Sequence, residues 1–502
     1  MLPFKHLIPI DRTSDTALYQ QIASGMIEAI QNGVIESGST LPGTRTLAKT
    51  LNVHRKTIIS AYDELYAQSW IDINPRKSVR VVDLLPDLGP RSWEDGQETR
   101  QMDHFSQAVM STEEPIAVHR IVVNDGYPDI RLFPHELITR EYRFSLKQKA
   151  LQSMEDPLLP WGAASLRDTL VNYLHKTRGI STRLDHIMVT NGAQMGIYLT
   201  AISLLKKGDH VVVGTPGYHL ADEVFGHVDA ILHQIPVDQD GIDVNALEIL
   251  CQEHPIRVVY CIPHHHYPTT VTLCAQRRNK LLELAKKYRF IIIEDDYDYD
   301  FQYDDSAYLP LYSLAKEVDI VYVGSFSKVI SPYLRIGFLI ANATLIKKAY
   351  RLRRLINIMG DEIMENTLAA LINNGDLSRH IKKTTKIYRE RRDYLIQQLR
   401  LKLGDQVYFN VPNGGMALWV QFKEEFPLTK AIALAKNRGI NFSGLPFTFN
   451  HKLRGMRLGF ASLDKHEVDE IVDILQHSLA DKINSSNSAD LYHFSSIQTF
   501  RH

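Results

Sequence analysis

Several features that would place this 502-residue sequence in a special class of protein are missing. It has only three cysteines, Cys251, Cys261 and Cys274, which are too few and odd in number for a disulfide framework, and their spacing fits no common zinc motif. No apolar run approaches the roughly 20 residues that cross a bilayer, and the first residues carry charge and proline too early for a secretory signal. We therefore expect a cytoplasmic protein.

The sequence also lacks an excess of charge of either sign. The formal net charge is −1, so the chain as a whole does not attract nucleic acid, and any such binding must come from a local asymmetry. Apolar residues make up 44% and charged residues 23% of the chain, an ordinary soluble composition. The length allows two or three domains.

Such an asymmetry lies near the amino terminus, where Lys and Arg outnumber Asp and Glu between Arg45 and Arg80. Apolar spacing predicts a helix ending near Asn32, a second from Arg45 to Leu51 and a third starting at Val53. Two short helices, the second opening with basic and hydroxyl residues, are typical of a helix-turn-helix that enters the major groove. From charge alone, a solvated basic face is the alternative.

The third helix is predicted to bury Ile58, Ile59, Tyr62, Leu65 and Tyr66. The residues that we expect to contact DNA phosphates or base edges are basic or carry a hydrogen-bonding side chain: Arg45, His54, Arg55, Lys56 and Thr57.

A polar stretch with three prolines separates this region from the rest of the chain. Residues 83–118 show no apolar period and are longer than an ordinary loop inside a compact domain, which predicts a linker. We therefore assign residues 1–82 to a DNA-binding domain and 119–480 to a second domain. The Ser-rich residues 481–502 are predicted to be a flexible tail.

Continuous apolar runs alternate with amphipathic helices in the second domain. The runs begin at His210, Arg257, Phe290 and Ile320, and the segment from Arg277 to Tyr288 carries apolar residues at helical spacing. This alternation predicts an α/β fold with a mainly parallel central sheet that is covered on both faces.

Lys328 follows the run that begins at Ile320, within the segment Gly-Ser-Phe-Ser-Lys. A lysine can form a Schiff base with pyridoxal phosphate, which also needs an anion at its ring nitrogen, a donor for its ring oxygen and a phosphate cup. Asp295 and Tyr297, at the carboxyl end of the preceding apolar run, suit the first two needs. Candidates for the phosphate cup are Ser325, Ser327, Arg335 and the turn Gly192-Ala193-Gln194 before an apolar helix.

Each of these features is weak when taken singly. Ser-x-Lys alone is more often a surface feature, and Asp-Asp-Tyr alone is usually the end of a strand. Their order along the chain, which is glycine turn, acid, lysine and arginine, argues against coincidence.

Two resemblances give these patterns a context. The string from Gln21 to Ile71 resembles a GntR-type winged helix, with its Leu-Pro-x-x-Arg entry and its Arg-x-Thr-Ile-x-x-Ala-Tyr recognition helix. Residues 120–475 resemble a fold-type-I aminotransferase domain, on segments that include NDGYPDIRLFP, VTNGAQ, TPGY, EDDYDYDF and GSFSK. The fusion of the two is similar to the MocR family of transcriptional regulators.

The resemblance implies a head-to-tail homodimer that binds pyridoxal 5'-phosphate and an operator in double-stranded DNA, and that senses an amine or the cofactor itself. It implies that Lys328 carries the internal aldimine, that Asp295 and Tyr297 hold the ring, and that Ser325 and Arg335 hold the phosphate. Tyr218 is implied to lie beside the ring, and Arg457 to meet a substrate carboxylate.

The chain also departs from the family pattern. Pro157 replaces a tyrosine that reaches the partner's phosphate, Thr270 replaces a glycine, and Leu220 replaces an arginine of some amino-acid-sensing members. Residues 74–78 lack the glycines usual at the tip of the wing, but we still expect Arg76 and Lys77 to contact a minor groove or the DNA backbone. Three consecutive histidines, 264–266, cannot easily converge on one ion from an extended loop, so we expect no metal there.

We expect a ligand-responsive DNA-binding regulator whose aminotransferase-like core forms an aldimine with an amine or amino-acid effector. The alternative is a catalytically active aminotransferase with an attached DNA-binding domain. Both need Lys328. The intact recognition helix and the long linker favour the regulator, because sensing requires only differential binding between two states. A scaffold that binds no cofactor would make the lysine constellation a coincidence.

Overall fold

A computed structural model of the protein describes residues 3–14, 16–74, 78–83, 85, 119–151, 161–303, 308–443, 447–449 and 453–480. Contacts divide the chain into two compact units that meet in sequence at residue 114. The predicted tail, nearly all of the predicted linker, the wing residues Arg76 and Lys77, and Pro157 lie outside the described residues. The domain boundaries therefore stay predictions.

The first unit combines helices with a small antiparallel sheet, whose strand order is β1-β3-β2. Its core contains Ile22, Met26, Leu47, Ile58 and Leu65, which are contributed by three helices. The elements in chain order are α1 (Phe4–Leu7), α2 (Leu18–Gln31), β1 (Thr40–Leu41), α3 (Thr44–Leu51), α4 (Arg55–Ala67), β2 (Ile71–Asn74) and β3 (Ser78–Val81).

The turn between α3 and α4 has the predicted helix-turn-helix form. Asn52 ends α3 with a positive φ of 51°, a conformation that Asn tolerates better than most residues. The prediction that Ile59 and Tyr66 are buried was wrong, since 38% and 55% of their surfaces are exposed. Each follows a residue of the buried stripe by one position, which turns it about 100° away on a helix of 3.6 residues per turn.

The second unit is built on an eight-stranded sheet with the order β5-β12-β11-β10-β9-β6-β7-β8. The run from β11 to β7 is parallel, and β12 is antiparallel to both of its neighbours. The elements up to this last strand are β4 (Ile121–Val123), α5 (His135–Leu151), α6 (Ala164–Arg178), β5 (Ile187–Thr190), α7 (Ala193–Leu204), β6 (His210–Thr215), α8 (His219–His227), β7 (Ile231–Asp238), β8 (Gly241–Ile242), α9 (Val244–Glu253), β9 (Ile256–Cys261), α10 (Ala275–Tyr288), β10 (Ile291–Asp296), α11 (Leu311–Leu314), β11 (Ile320–Ser325) and β12 (Gly337–Ile340).

Apolar clusters cover both faces of this sheet, which explains its continuous apolar strands. Residues of α7 and α8 pack on one face with Val211 and Val213. Residues of α9 and α10 pack on the other face with Val212 and Ile292. The predicted α/β fold with a mainly parallel sheet is confirmed.

The rest of the second unit adds a smaller antiparallel sheet, β13-β14-β17-β16, and the pair β4-β15. Its buried residues form a cluster with residues of α14 and α16. The elements are α12 (Ala343–Ile356), α13 (Glu362–Asn373), α14 (Asp376–Leu403), β13 (Val407–Tyr408), β14 (Ala417–Phe422), α15 (Leu428–Asn437), β15 (Ile440–Phe442), β16 (Phe447–Phe449), β17 (Leu453–Gly459) and α16 (Lys465–Ala480). Within the described ranges, none of these helices has the length and apolar character of a membrane span.

Candidate functional site

Strand pairing brings the predicted site residues to one edge of the large sheet. Asp295, near the carboxyl end of β10, pairs with Val323 of β11. Ser325 ends β11 and pairs with Gly337 of β12, which pairs in turn with Thr190, the last residue of β5. The acid, the serine and the glycine turn after β5 therefore meet at this edge, which we call the lysine edge because Lys328 follows β11.

Lys328 lies between the lysine edge and the segment 124–127. Its Nζ donates to the Gly126 carbonyl at 2.8 Å and lies 3.6 Å from the centre of the Tyr127 ring. Burial lowers the pKa of Lys328 to about 8, because the Asp125 carboxylate only partly offsets the loss of water and Arg457 adds to the lowering. The amine therefore loses its proton more readily than an ordinary lysine, as a nucleophile requires.

Asp295 is a buried carboxylate in which one of the two oxygens accepts a hydrogen bond. Oδ2 accepts a hydrogen bond from the Tyr260 hydroxyl at 2.7 Å, and Oδ1 has no hydrogen-bond partner among the described residues. Burial raises the pKa of Asp295 to about 7, although the bond from Tyr260 opposes the rise. A cationic N–H donor at Oδ1 would favour the ionised form.

Arg457, on β17, is 2% exposed, and its guanidinium donates hydrogen bonds to neutral acceptors. Nε donates to the Asp125 carbonyl at 2.7 Å, Nη1 to the Pro268 carbonyl at 3.1 Å and Nη2 to the Tyr297 hydroxyl at 3.0 Å. The Tyr297 hydroxyl donates to the His265 carbonyl at 2.8 Å. Donation by Tyr297 to a cofactor oxygen therefore stays a prediction.

The turn after β5 requires glycine. Gly192 has a φ of +82° and precedes the first residue of α7, and a Cβ added there would lie 2.8 Å from Nη2 of Arg335. Arg335 also donates to the Asn191 carbonyl at 3.0 Å. The guanidinium is thus held against the amino end of a 12-residue helix, and both features favour an anion.

Other predicted site residues keep polar atoms available beside this turn. The Ser325 hydroxyl accepts from the Ser327 amide at 3.1 Å. Gln194, after Ala193 in α7, donates to the Leu220 carbonyl at 3.2 Å. Ser327 Oγ and Gln194 Oε1 are buried without a partner among the described residues.

Tyr218 immediately precedes α8, and its ring centre lies 5.5 Å from that of Tyr267 in an edge-on arrangement. Burial, followed by the charge of Asp295, raises the pKa of Tyr218 above its ordinary value. Tyr218 thus lies within the electrostatic influence of Asp295, and its position beside a cofactor ring stays a prediction.

Three contributions to the site were not predicted. Gly126 and Tyr127 hold Lys328, and the segment NDGYP that contains them was noticed only through its resemblance. Tyr260 bonds Asp295 from the neighbouring strand. Because the contact joins residues 35 positions apart, no local spacing reveals it.

The pair formed by His265 and Asp298 was also missed. Their Nδ1 and Oδ1 atoms are 2.7 Å apart. Although burial pushes the pKa of Asp298 upwards, the neighbouring His265 ring holds it below its ordinary value. The flanking histidines have other partners: His264 bonds the Tyr308 carbonyl and His266 the Pro216 carbonyl.

In the first unit, Arg45, Arg55 and Lys56 are exposed at the start of α3 and of α4, and Thr57 is half-buried. Arg55 donates from Nε to the Thr44 hydroxyl at 3.2 Å, which holds its guanidinium beside the first residue of α3. His54 is exposed but caps α4, since its Nδ1 accepts from the Lys56 amide at 3.2 Å.

Comparison with known proteins agrees with both units. Residues 144–475 match the class I and II aminotransferase family, and residues 18–81 match the gntR family of bacterial regulatory proteins. The probable rhizopine catabolism regulatory protein MocR of Rhizobium meliloti is 27% identical over 484 residues, which cover 94% of this chain and 95% of that protein.

Two proteins that are named as aminotransferases are also similar to this chain. Aromatic-amino-acid aminotransferase 1 of Thermococcus litoralis is 28% identical over 365 residues, which cover 71% of this chain and 87% of the enzyme. The crystal structure of Pyrococcus horikoshii kynurenine aminotransferase in complex with PMP superposes with a TM-score of 0.68 and 27% identity, over 76% of this chain and 98% of that one.

The chain therefore belongs to the class I and II aminotransferase family, whose fold it has. Ahead of this domain it carries a GntR-type helix-turn-helix domain, so its architecture is that of MocR and of other HTH-type regulators. This fused architecture supports a transcriptional regulator, and the aminotransferase fold implies dependence on pyridoxal phosphate.

Proposed function

We propose that the protein is a pyridoxal phosphate-dependent transcriptional regulator that binds an operator in double-stranded DNA and responds to a small amine or amino acid. The observation that carries this proposal is the Lys328 amine, with a pKa of about 8, in a unit joined to a helix-turn-helix. When bound, the cofactor supplies an aldehyde that condenses with primary amines.

The residues around the lysine edge fit this cofactor in three ways. Lys328 would attach it covalently, and the free oxygen of Asp295 suits the N–H of a pyridinium ring. The anion site of Gly192, Ala193 and Arg335 suits a phosphate, with Ser325, Ser327 and Gln194 as additional hydrogen-bonding groups. Tyr297 and Tyr218 would contact the ring.

Arg457 supports an effector that carries a carboxylate. It is a buried guanidinium, and no carboxylate of the described residues lies within salt-bridge distance of it. A carboxylate ligand would give Arg457 a charge-assisted bidentate bond in place of weaker bonds to neutral acceptors. An amino acid combines this group with the amine that the cofactor would capture.

DNA binding would use the exposed basic residues of α3 and α4, with Arg45, Arg55, Lys56 and Thr57 towards the groove. The capping bond of His54 favours a structural role for its Nδ1. A homodimer would present two such helices to two half-sites of an operator. We expect it to be head-to-tail, and we expect the protein in the cytoplasm.

An active aminotransferase is the second candidate, and the similarity to the enzyme of Thermococcus litoralis favours it. A regulator and an enzyme would both need Lys328, so the cofactor site does not distinguish the two functions. Multiple turnover of a substrate would distinguish them.

The test is a titration of the purified, cofactor-loaded chain with a panel of amines and amino acids. We expect an effector to change the absorbance of the bound cofactor without multiple turnover to a keto acid, and to alter the affinity for DNA flanking the gene in a mobility-shift assay. Many turnovers with unchanged DNA affinity would favour the enzyme. A chain that takes up no cofactor would refute both.

A further inference from the structure

Three histidines meet at the edge of the large sheet that lies opposite the lysine edge. His210 is the first residue of β6, His233 is the third residue of β7, and His254 follows the last residue of α9. Since β6 runs parallel to the strands that deliver Asp295 and Lys328, its first residue lies at the amino-terminal edge. We call these three residues the histidine cluster.

The imidazole rings of the cluster face one another. His210 Nδ1 and His233 Nε2 are 2.8 Å apart, and the ring centres are separated by 5.0, 5.0 and 4.7 Å. One ring nitrogen from each residue lies within 4.8 Å of the others. All three side chains are half-buried, so a solute can reach them.

Backbone elements hold the histidines in this arrangement. His233 pairs with Val212, two residues beyond His210, so both imidazoles leave the sheet on the face that α9 covers. His254 stands at the carboxyl end of α9, where its amide still bonds the Leu250 carbonyl. That end of a helix dipole favours positive charge.

We propose that the histidine cluster binds a divalent transition-metal ion, with Zn²⁺ as the ion tested. Zinc–nitrogen bonds of about 2.0–2.1 Å put tetrahedral ligand atoms roughly 3.4 Å apart. The side chains would have to rotate to bring nitrogens that lie within 4.8 Å of one another to that separation. Imidazole nitrogens suit Zn²⁺, Ni²⁺ and Cu²⁺, whereas Mg²⁺ and Ca²⁺ prefer oxygen. Water would complete the coordination.

The bound ion would join the end of α9 to two strands of the large sheet. Because the unfolded chain does not bring these residues together, the ion would bind the folded protein preferentially and raise its melting temperature. The site does not depend on the cofactor, since none of its ligands belongs to the lysine edge.

The test is calorimetric titration of the tag-free full chain, freed of metal with a chelator, with zinc chloride. We expect binding at the histidine cluster, and we expect His233→Gln to weaken it by more than about 10-fold, since even outer partners of metal ligands contribute roughly 10- to 100-fold. His227→Gln, at an exposed position on α8, is the matched control and should leave binding unchanged. His254→Gln is the second variant should His233→Gln fail to fold.

X-ray absorption at the zinc edge gives an independent readout. We expect three imidazole ligands in the parent chain and two in the His254→Gln variant. Equal zinc affinity in the parent and in the folded His233→Gln or His254→Gln variant, or fewer than three imidazoles in the parent, would overturn the proposal.

Discussion

The lysine edge of the second unit and the exposed residues at the starts of α3 and α4 in the first unit, which we call the recognition surface, use charge in opposite ways. At the lysine edge, Asp295 and Arg457 are each no more than 3% exposed, and burial shifts the pKa values of Lys328 and Asp295 towards neutrality. On the recognition surface, Arg45, Arg55 and Lys56 are exposed.

This difference fits the function that we propose for each region. A covalent site needs an amine that can lose its proton, and removal from water is the main way in which the fold lowers a lysine pKa. A surface that meets DNA needs charges that stay ionised and exchange counterions for phosphates. We therefore expect mutations at the lysine edge to change the chemistry and its pH dependence. We expect mutations of the recognition surface to change the salt dependence of DNA binding.

The largest effect is expected from Lys328→Ala. Borohydride reduction followed by mass spectrometry should show covalent attachment of pyridoxal phosphate to the parent chain and none to the variant, because no other amine occupies this position. Lys347→Ala, at an exposed position of α12, is the control. Attachment that persists in a folded Lys328→Ala protein would refute the assignment.

A smaller loss is expected from Asp295→Asn. Removing a charge-assisted hydrogen bond to the ring nitrogen should weaken cofactor binding by about 10- to 100-fold, which corresponds to about 1.5–3 kcal/mol. Asp296→Asn is the matched control, since the neighbouring carboxylate bonds Tyr322 instead. Its charge raises the pKa of Asp295, so its removal should not weaken cofactor binding. Equal cofactor affinities in the two variants would contradict the assignment of Asp295 to the ring nitrogen.

The cofactor-free protein should reveal the cost of burying the lysine. The pKa of Lys328 is lowered to about 8, so the unfolded chain holds this proton more tightly and stability should rise with pH between about 8 and about 10.5. We expect Lys328→Met to raise the free energy of unfolding on the order of 2 kcal/mol at neutral pH. Denaturant titrations should show the gain shrinking above pH 8, and a gain that does not change with pH would contradict the shift.

The smallest effect is expected on the recognition surface. Arg55→Ala should weaken operator binding and reduce the salt slope of log K by about one, if the guanidinium contacts a phosphate. Arg183→Ala makes the same charge change at an exposed position of the second unit and should leave the slope unchanged. An unaltered slope and affinity in Arg55→Ala would remove α4 as the DNA-contacting helix.

The element types, their order and the fold class follow from patterns that are local in the chain. Helical spacing predicted α10, whose Leu281, Leu284 and Ala285 are buried. The same argument failed for Ile59 and Tyr66, because an apolar residue one position off the stripe looks no different in the sequence. Asp295 and Lys328 likewise follow successive apolar runs in the sequence, and since parallel strands end on the same side of a sheet, the fold brings them to one edge.

Contacts between distant segments could be seen only in the folded chain. Tyr260 contacts Asp295 and Gly126 contacts Lys328, and His254 joins the cluster that contains His210. Strand pairing and helix packing set these distances, which spacing along the chain does not encode. The amino acid order specified which groups exist and which elements carry them. Packing determined their separation and the water removed from them, and hence the pKa of the lysine.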